Sequence, residues 1–355
     1  MKEGGPAPLR IGEAEVGPGR PTYIVAEIAQ AHDGSLGTAH ALVDALADAG
    51  VDAVKFQTHI ALEESTLDEP FRVRFSRQDD TRYAYWKRME FTDGQWAGLA
   101  RHAREKGLAF LSSPFSEKAV RLLRDIGVPA WKLGSGEVRS DSLIEAIPRD
   151  GRPILLSTGM SDRREIEEGV NRLRERGYPV VVLQCTSMYP TPLDKVGLNV
   201  IDDLRDRFDC PVGLSDHSGT VFPALAGMAG GIDLLEVHVT FHRRMFGPDV
   251  PASLTLEEMG FLVQARDAFH TMRRHPVDKD RLARELETTK SMFSKSLAPR
   301  HRIPAGTVLE RDMLTFKKPG SGIPPRDLEH VVGMRCARDV GPERLLQWED
   351  LEGSS

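Results

Sequence analysis

The sequence predicts an α/β protein, a (β/α)8 TIM barrel followed by a small β-rich domain, and three observations carry that prediction. Eight short apolar runs, the first at 23–26, each stop on a polar or charged residue, and each is followed by a stretch whose apolar residues have helical spacing. Eight such units are the number that closes a barrel, and the first run lacks the glycine fingerprint that an open, doubly wound sheet would favour there. Beyond about residue 294 the pattern changes to apolar pieces of two or three residues separated by Pro- and Gly-containing turns.

Residues 1–20 are rich in Gly and Pro and read as an entry segment with a short strand at 9–11. Strand 23–26 delivers Glu27. After a polar turn through His32, Asp33 and Gly34, a helix from Ser35 carries Leu36, Ala39, Val43 and Leu46 on one stripe, and Gly50 closes it. Strand 51–54 delivers Lys55 and Gln57. The rhythm pauses over 58–92, where Phe71, Phe75, Tyr83, Tyr85, Trp86 and Phe91 are interleaved with charged residues. This excursion reads either as a lid over a sugar site or as a helical cap packing on the barrel. The units resume with helix 95–106, strand 109–111 running into Ser112 and Ser113, a helix to Ile126, and strand 130–131 running into Lys132 and the turn Gly134-Ser135-Gly136-Glu137. Strands 154–156, 180–183, 212–214 and 234–237 follow, and a helix after Ser253 ends near Arg274. The expected organisation is a barrel over 1–272, a charged, apolar-poor linker over 273–293 and a small loop-rich β domain over 294–355.

The composition, 40% apolar and 28% charged over 355 residues, is that of a globular protein able to bury a sizeable core. A formal net charge of -6 argues against nucleic acid or an anionic membrane as partner, and still allows a local basic pocket around a small anion. No apolar run approaches the roughly 20 residues of a membrane span, and the start of the chain has no signal-peptide core, so a cytoplasmic protein is expected. The 3 cysteines, Cys185, Cys210 and Cys336, are too scattered for a disulfide framework or a cysteine metal site.

The chemistry gathers at the strand ends. Gly213-Leu214-Ser215-Asp216-His217 and Glu236-Val237-His238 set two imidazoles at the ends of neighbouring strands, where they could bind one divalent metal and leave coordination positions open for water and substrate. The alternative is that each histidine only satisfies a hydrogen bond. Lys55, Lys132, Ser113, Ser135, Ser157 and Ser215 project from strand ends as cations and hydroxyl donors suited to a small phosphorylated anion. The alternative for each lysine is a salt bridge with a neighbouring acid.

Taken together, a set of motifs resembles the N-acetylneuraminate (sialic acid) synthase family. They are Ala26-Glu27-Ile28 with His32 and Gly34, Val54-Lys55-Phe56-Gln57, Trp131-Lys132-Leu133-Gly134-Ser135-Gly136-Glu137, Ser157-Thr158-Gly159-Met160, Cys185-Thr186 with Tyr189-Pro190-Thr191, Gly213 to His217, and Glu236-Val237-His238 with Thr240 and Gly247-Pro248-Asp249. Lys317-Lys318-Pro319-Gly320-Ser321-Gly322-Ile323 and Trp348-Glu349-Asp350-Leu351 resemble its C-terminal antifreeze-like (SAF) domain, so the resemblance runs from Tyr23 to Leu351. It implies condensation of phosphoenolpyruvate with an open-chain N-acylhexosamine such as N-acetylmannosamine, giving a nine-carbon 2-keto sugar acid and releasing phosphate by C–O cleavage. It also implies Mn2+, or another divalent cation such as Mg2+ or Co2+. By position, His217 and His238 are then the metal ligands, and Lys55, Lys132, Ser135, Ser157, Ser187 and Ser215 cradle phosphoenolpyruvate. Glu27, Gln57, Glu137, Tyr189 and Asp249 line the sugar and the metal-bound water. Glu27 is the acid/base candidate, with a carboxylate that holds water or a ligand as its alternative. In that family the small domain closes over the partner subunit's barrel, so a domain-swapped homodimer is expected, with Lys318 reaching into an active site.

The chain departs from the family mostly on the sugar side. Ala31 and Ser187 stand where Asn is usual or common, His242 where Asp often occurs, and Lys318 where Arg is usual. Fewer directional donors there make a legionaminic- or pseudaminic-type precursor, a dideoxy diacetamido sugar, the second acceptor reading. A metal-dependent hydrolase or lyase and a carbohydrate-binding protein are the readings from other classes. Against the first stands the absence of H-x-H and H-E-x-x-H patterns, and against the second the strand-end lysines beside a metal site.

Overall fold

The computed structural model describes residues 6–353 and begins with a hairpin, β1 (Leu9–Ile11) and β2 (Ala14–Val16), of which the sequence shows only the first strand. Eight parallel strands follow: β3 (Tyr23–Ala29), β4 (Ala53–Thr58), β5 (Ala109–Pro114), β6 (Trp131–Leu133), β7 (Ile154–Ser157), β8 (Val180–Cys185), β9 (Val212–Asp216) and β10 (Leu234–Thr240). They pair in the order β5-β4-β3-β10-β9-β8-β7-β6, with β11 (Leu254–Thr255) extending from β10. The remaining seam brings β5 and β6 side by side with no ladder between them among the described residues, so the barrel is nearly closed.

Barrel strands are buried on both faces, which is why they appear in the sequence as apolar runs. One face meets the helices, as with Ile24, Val54, Phe56 and Phe110. The other fills the barrel: Tyr23, Val25, Ala53, Leu111, Ala130, Leu155, Leu183 and Leu234 form an apolar floor that Ile11 and Val16 of the hairpin join. The helix Leu36–Ala49 illustrates the local rules. Ser35 caps its start by accepting from Thr38 N at 3.2 Å, and Gly50 ends it at φ 81°, a left-handed conformation that costs a residue without Cβ nothing.

Two aspartates at the N-terminal ends of the strands satisfy backbone donors that closure would otherwise leave unpaired. Asp52 Oδ2 accepts from Ile24 N at 2.7 Å and from Arg266 at 2.9 Å, and Asp233 Oδ2 accepts from Val212 N at 2.9 Å. Burial raises the Asp233 carboxyl from 3.8 to about 6, which makes its charged form the penalised one in the fold. The stability this group contributes is therefore full below pH 3.8 and is lost as pH rises through about 6. Asparagine keeps the acceptor for Val212 without the charge. Asp233→Asn should raise the urea-unfolding free energy by about 2 kcal/mol at pH 7.5, with the gain shrinking to nothing near pH 4. A gain that does not depend on pH would contradict this origin.

The chain divides into two compact units between Arg274 and His275. In the second, the expected linker segment forms two helices, Lys279–Glu285 and Glu287–Phe293, the first capped by Asp278. They precede an antiparallel pair, β12 (Ser296–Pro299) and β13 (Leu314–Lys317), and a small core that includes Leu297, Ile303, Leu309, Ile323 and Val331. Among the described residues no helix is long and apolar enough to cross a membrane.

Candidate active site

Successive side chains of a strand alternate between its two faces, so the residue two positions beyond each floor residue points the same way, one layer higher. Above Val25, Ala53, Leu111, Ala130, Leu155 and Leu234 stand Glu27, Lys55, Ser113, Lys132, Ser157 and Glu236. All six are buried and line one cavity of about 620 Å³ at the C-terminal mouth of the barrel. At Glu27 the β3–β4 register shifts, and Ala29 takes φ 45°, an irregularity of the kind that re-aims side chains beside a site.

The charges in this layer are balanced against one another. Lys55 ion-pairs with Glu27, its register partner on the adjacent strand, and its Nζ lies 3.7 Å from Glu236 Oε2. It also donates to Ser113 Oγ at 3.2 Å. Lys132 Nζ donates to Ser157 Oγ at 2.7 Å and lies 3.6 Å from Glu236 Oε1, which accepts from Ser215 Oγ at 3.0 Å. Glu236 is therefore the counter-charge between two buried lysines. Burial would push its carboxyl up, but Lys132 and Lys55 more than offset that and hold it ionised. Burial draws the Lys55 ammonium below its ordinary value, with Glu236 opposing the shift.

The two histidines lie beside this layer, with ring centroids 5.2 Å apart. His238 is the register partner of Glu27 on the other side of β3, so His238, Glu27 and Lys55 form a row across three strands. Burial lowers both imidazoles to about 3, with neighbouring charge adding to the effect, so both are neutral. His217 Nδ1 is 3.1 Å from the Thr186 carbonyl, which can only accept; the proton therefore sits on Nδ1, and Nε2 keeps its lone pair. Glu27 Oε1 is buried with no hydrogen-bond partner. Among the described residues no group of three or more His, Cys, Asp or Glu is arranged to hold a metal ion. Two neutral imidazoles with an orphaned carboxylate oxygen nearby fit a divalent cation that draws its other ligands from water and substrate.

The loops after β6, β7 and β8 converge on the same cavity. A Cβ at Gly159 would come within 2.7 Å of Cys185 Sγ and 3.0 Å of Ser135 Oγ, so only glycine lets these strand ends approach. Ser135 Oγ accepts from Gly159 N at 2.9 Å, and Ser187 lines the cavity beside it. On the outer side the Tyr189 ring lies 4.2 Å from His217, and Gln57 accepts from Gln30 at 2.7 Å. Glu137 and Asp249 complete that wall, and burial raises the Glu137 carboxyl. Every barrel residue assigned from the sequence to the metal, phosphoenolpyruvate or the acceptor thus lines one cavity, whereas Ala31 and His242 do not. Lys318 belongs to the second unit, where its Nζ lies 4.9 Å from the centre of the Phe293 ring. Glu236 is absent from the sequence-predicted set, although its position two residues before His238 puts it on the same face of the strand. Arg72, which pairs with Asp249, had no sequence signal at all.

A nearly closed parallel (β/α)8 barrel with a charged ligand cavity at its C-terminal mouth, followed by a small β domain, is the class that this fold and cavity define. The NeuB family model matches residues 42–276, and the SAF domain model matches residues 294–352. The chain belongs to the NeuB family. It is 32% identical to N-acetylneuraminate-9-phosphate synthase of Homo sapiens, over 95% of this chain and 96% of that one. It is 31% identical to N,N'-diacetyllegionaminic acid synthase of Campylobacter jejuni, over 92% and 99% of the two chains. Among solved structures, N-acetylneuraminic acid synthetase of Leptospira borgpetersenii, in complex with citrate, superposes with a TM-score of 0.70 at 26% identity. That match covers 82% of this chain and 99% of the other.

Proposed function

We propose that the protein is a nonulosonic (sialic) acid synthase, a transferase that condenses phosphoenolpyruvate with an open-chain N-acylhexosamine. The observation that carries this reading is the joining, in one cavity, of a two-lysine, serine-rich anion cradle with two neutral histidines. Lys55 and Lys132, with Ser113, Ser157 and Ser215, are assigned to phosphoenolpyruvate, whose phosphate would compete with Glu236 for the two ammonium groups. Ser135 and Ser187 extend the same cradle. His217 and His238 would hold Mn2+ or another divalent cation, which supplies Lewis acidity toward the aldehyde oxygen of the acceptor.

The methylene carbon of phosphoenolpyruvate attacks the aldehyde carbon, and the new C–C bond forms as the carbonyl π pair moves onto the aldehyde oxygen, which takes up a proton to become a hydroxyl. Water then adds to the cationic C2, and phosphate leaves by C–O cleavage. Glu27 is assigned the proton of that water, a role supported by its free Oε1 and its position in register with His238. Gln57, Glu137, Tyr189 and Asp249 are assigned to the acceptor, whose hydroxyl and amide N–H groups suit carboxylate and amide oxygens. Lys318 is assigned to the acyl oxygen of an acceptor in the partner's barrel, so the active species is a domain-swapped homodimer. A monomer by light scattering at working concentration would rule that assembly out.

N-acetylmannosamine is the first acceptor reading and a dideoxy diacetamido hexose the second; identities of 32% and 31% to the two relatives do not separate them. The test is phosphate release from phosphoenolpyruvate with Mn2+ and a panel of both sugar types. Release with one type names the acceptor, and release with none sinks the reading. Lys132→Ala should raise the KM for phosphoenolpyruvate by about 10- to 100-fold, the size of one charge-assisted contact, and move the acceptor KM less. The opposite pattern would mean that the two subsites are exchanged.

A further inference from the structure

One wall of the cavity comes from the excursion over 58–92, which forms two short helices, Ala61–Glu64 and Arg82–Met89, with irregular backbone between them. Irregular backbone is held in place by side chains, and here it is pinned on both sides of Arg72. On one side Trp86 Nε1 donates to Glu69 at 3.0 Å, and Arg82 Nη1 donates to the Pro70 carbonyl at 3.1 Å. On the other, the Phe75 ring packs 4.9 Å from Tyr85 and 5.7 Å from Phe246, and Asp79 pairs with Arg88 at 2.8 Å. Between these pins Arg72 reaches into the cavity. Its Nη2 donates to Asp249 Oδ1 at 2.8 Å, and its Cζ lies 4.0 Å from the centre of the Tyr189 ring. That ring contacts His217 and His238 at centroid distances of 4.2 and 5.8 Å. The guanidinium thus lies against the phenol ring, which is tilted against His217 and edge-on to His238.

Tyr189 and Asp249 sit outside the barrel strands, Tyr189 in the loop after β8 and Asp249 in the connection after β10, so the strand ladder does not by itself fix their side chains. Arg72 ties both to a third, independently anchored segment. A planar guanidinium can lie on an aromatic face and donate in its own plane at the same time, which an ammonium cannot do. The lysine–serine cradle, by contrast, makes its hydrogen bonds without Arg72.

We propose that Arg72 is a positioning residue for the acceptor. It acts through Tyr189 and Asp249, holding the phenol ring beside the two histidines and the carboxylate at the cavity wall. The proposal rests on the reading of Tyr189 and Asp249 as acceptor-side groups. Its test is the steady-state kinetics of full-length Arg72→Ala, Arg72→Lys, Tyr189→Leu and the double variant Arg72→Ala/Tyr189→Leu. Arg72→Ala should raise the acceptor KM by about 3- to 10-fold, the loss expected of one solvent-accessible cation–π contact and ion pair, with the phosphoenolpyruvate KM unchanged within about twofold. Arg72→Lys, which keeps the charge opposite Asp249, should recover part of the loss. Because Arg72 acts partly through the ring, the double variant should lose less than the sum of the two single losses. Additive losses, or a phosphoenolpyruvate KM that rises as far as the acceptor KM, would overturn the proposal. Failure of the reaction reading is distinguishable, because the wild-type chain would then release no phosphate with any acceptor.

Discussion

Replacing His238 by alanine should lower phosphate release from phosphoenolpyruvate by on the order of 10³-fold or more, the several kcal/mol expected when charge stabilisation at the aldehyde oxygen is lost. The fold should survive the change. His238 is buried but neutral, and its side chain faces the cavity from the end of β10, so its removal enlarges an existing space and leaves no charge unpaired. His217→Ala should be equally inactive but somewhat less stable, because it also cuts the bond from Nδ1 to the Thr186 carbonyl that tethers the loop after β8. Chelation of the wild-type protein should reproduce the loss, and added Mn2+ should restore the wild type but neither variant. Manganese binding followed by electron paramagnetic resonance gives a readout independent of turnover. Near wild-type activity in either variant, or full activity after chelation, would exclude the two-histidine site.

Glu236→Ala is expected to have the largest effect on stability, with a cost of about 3–5 kcal/mol, typical of breaking a buried ion cluster from one side. Glu236 Oε2 lies 3.7 Å from Lys55 Nζ and Oε1 lies 3.6 Å from Lys132 Nζ, all three groups being almost wholly out of water. Without the carboxylate, Lys55 keeps Glu27, but Lys132 retains only hydroxyl and carbonyl acceptors at Ser157 and Leu133. An anion bound in the cradle should supply the missing charge. Millimolar phosphate or phosphoenolpyruvate should therefore raise the urea midpoint of the variant by more than that of the wild type. A variant as stable as the wild type, or one equally indifferent to phosphate, would show that Glu236 is not the counter-charge of the lysine pair.

The strands are legible because parallel barrel strands are buried on both faces and so appear as unbroken apolar runs. The candidate site is legible because the alternation along a strand carries one polar side chain past the apolar floor at each C-terminal end, as with Val25 and Glu27 or Ala53 and Lys55. The segment over 273–293 reads as a charged linker because its helices bury almost nothing, and apolar periodicity records burial. Arg72 gave no signal for a related reason: it lies in irregular backbone, where no period links a residue to a face.

By itself the sequence determined the eight-unit rhythm, the polar residue ending each strand, and the motifs that resemble one synthase family. Only the tertiary structure decided which charges neutralise one another. Lys55 meets Glu27 and Glu236 because barrel closure sets β4, β3 and β10 side by side, although β10 lies far along the chain from the other two. Tyr189, Asp249 and Arg72 come from three separate connections and meet only above the mouth. Local propensity and burial are properties of neighbouring residues, whereas Coulomb and hydrogen-bond energies depend on distance through space, and closing the barrel sets that distance.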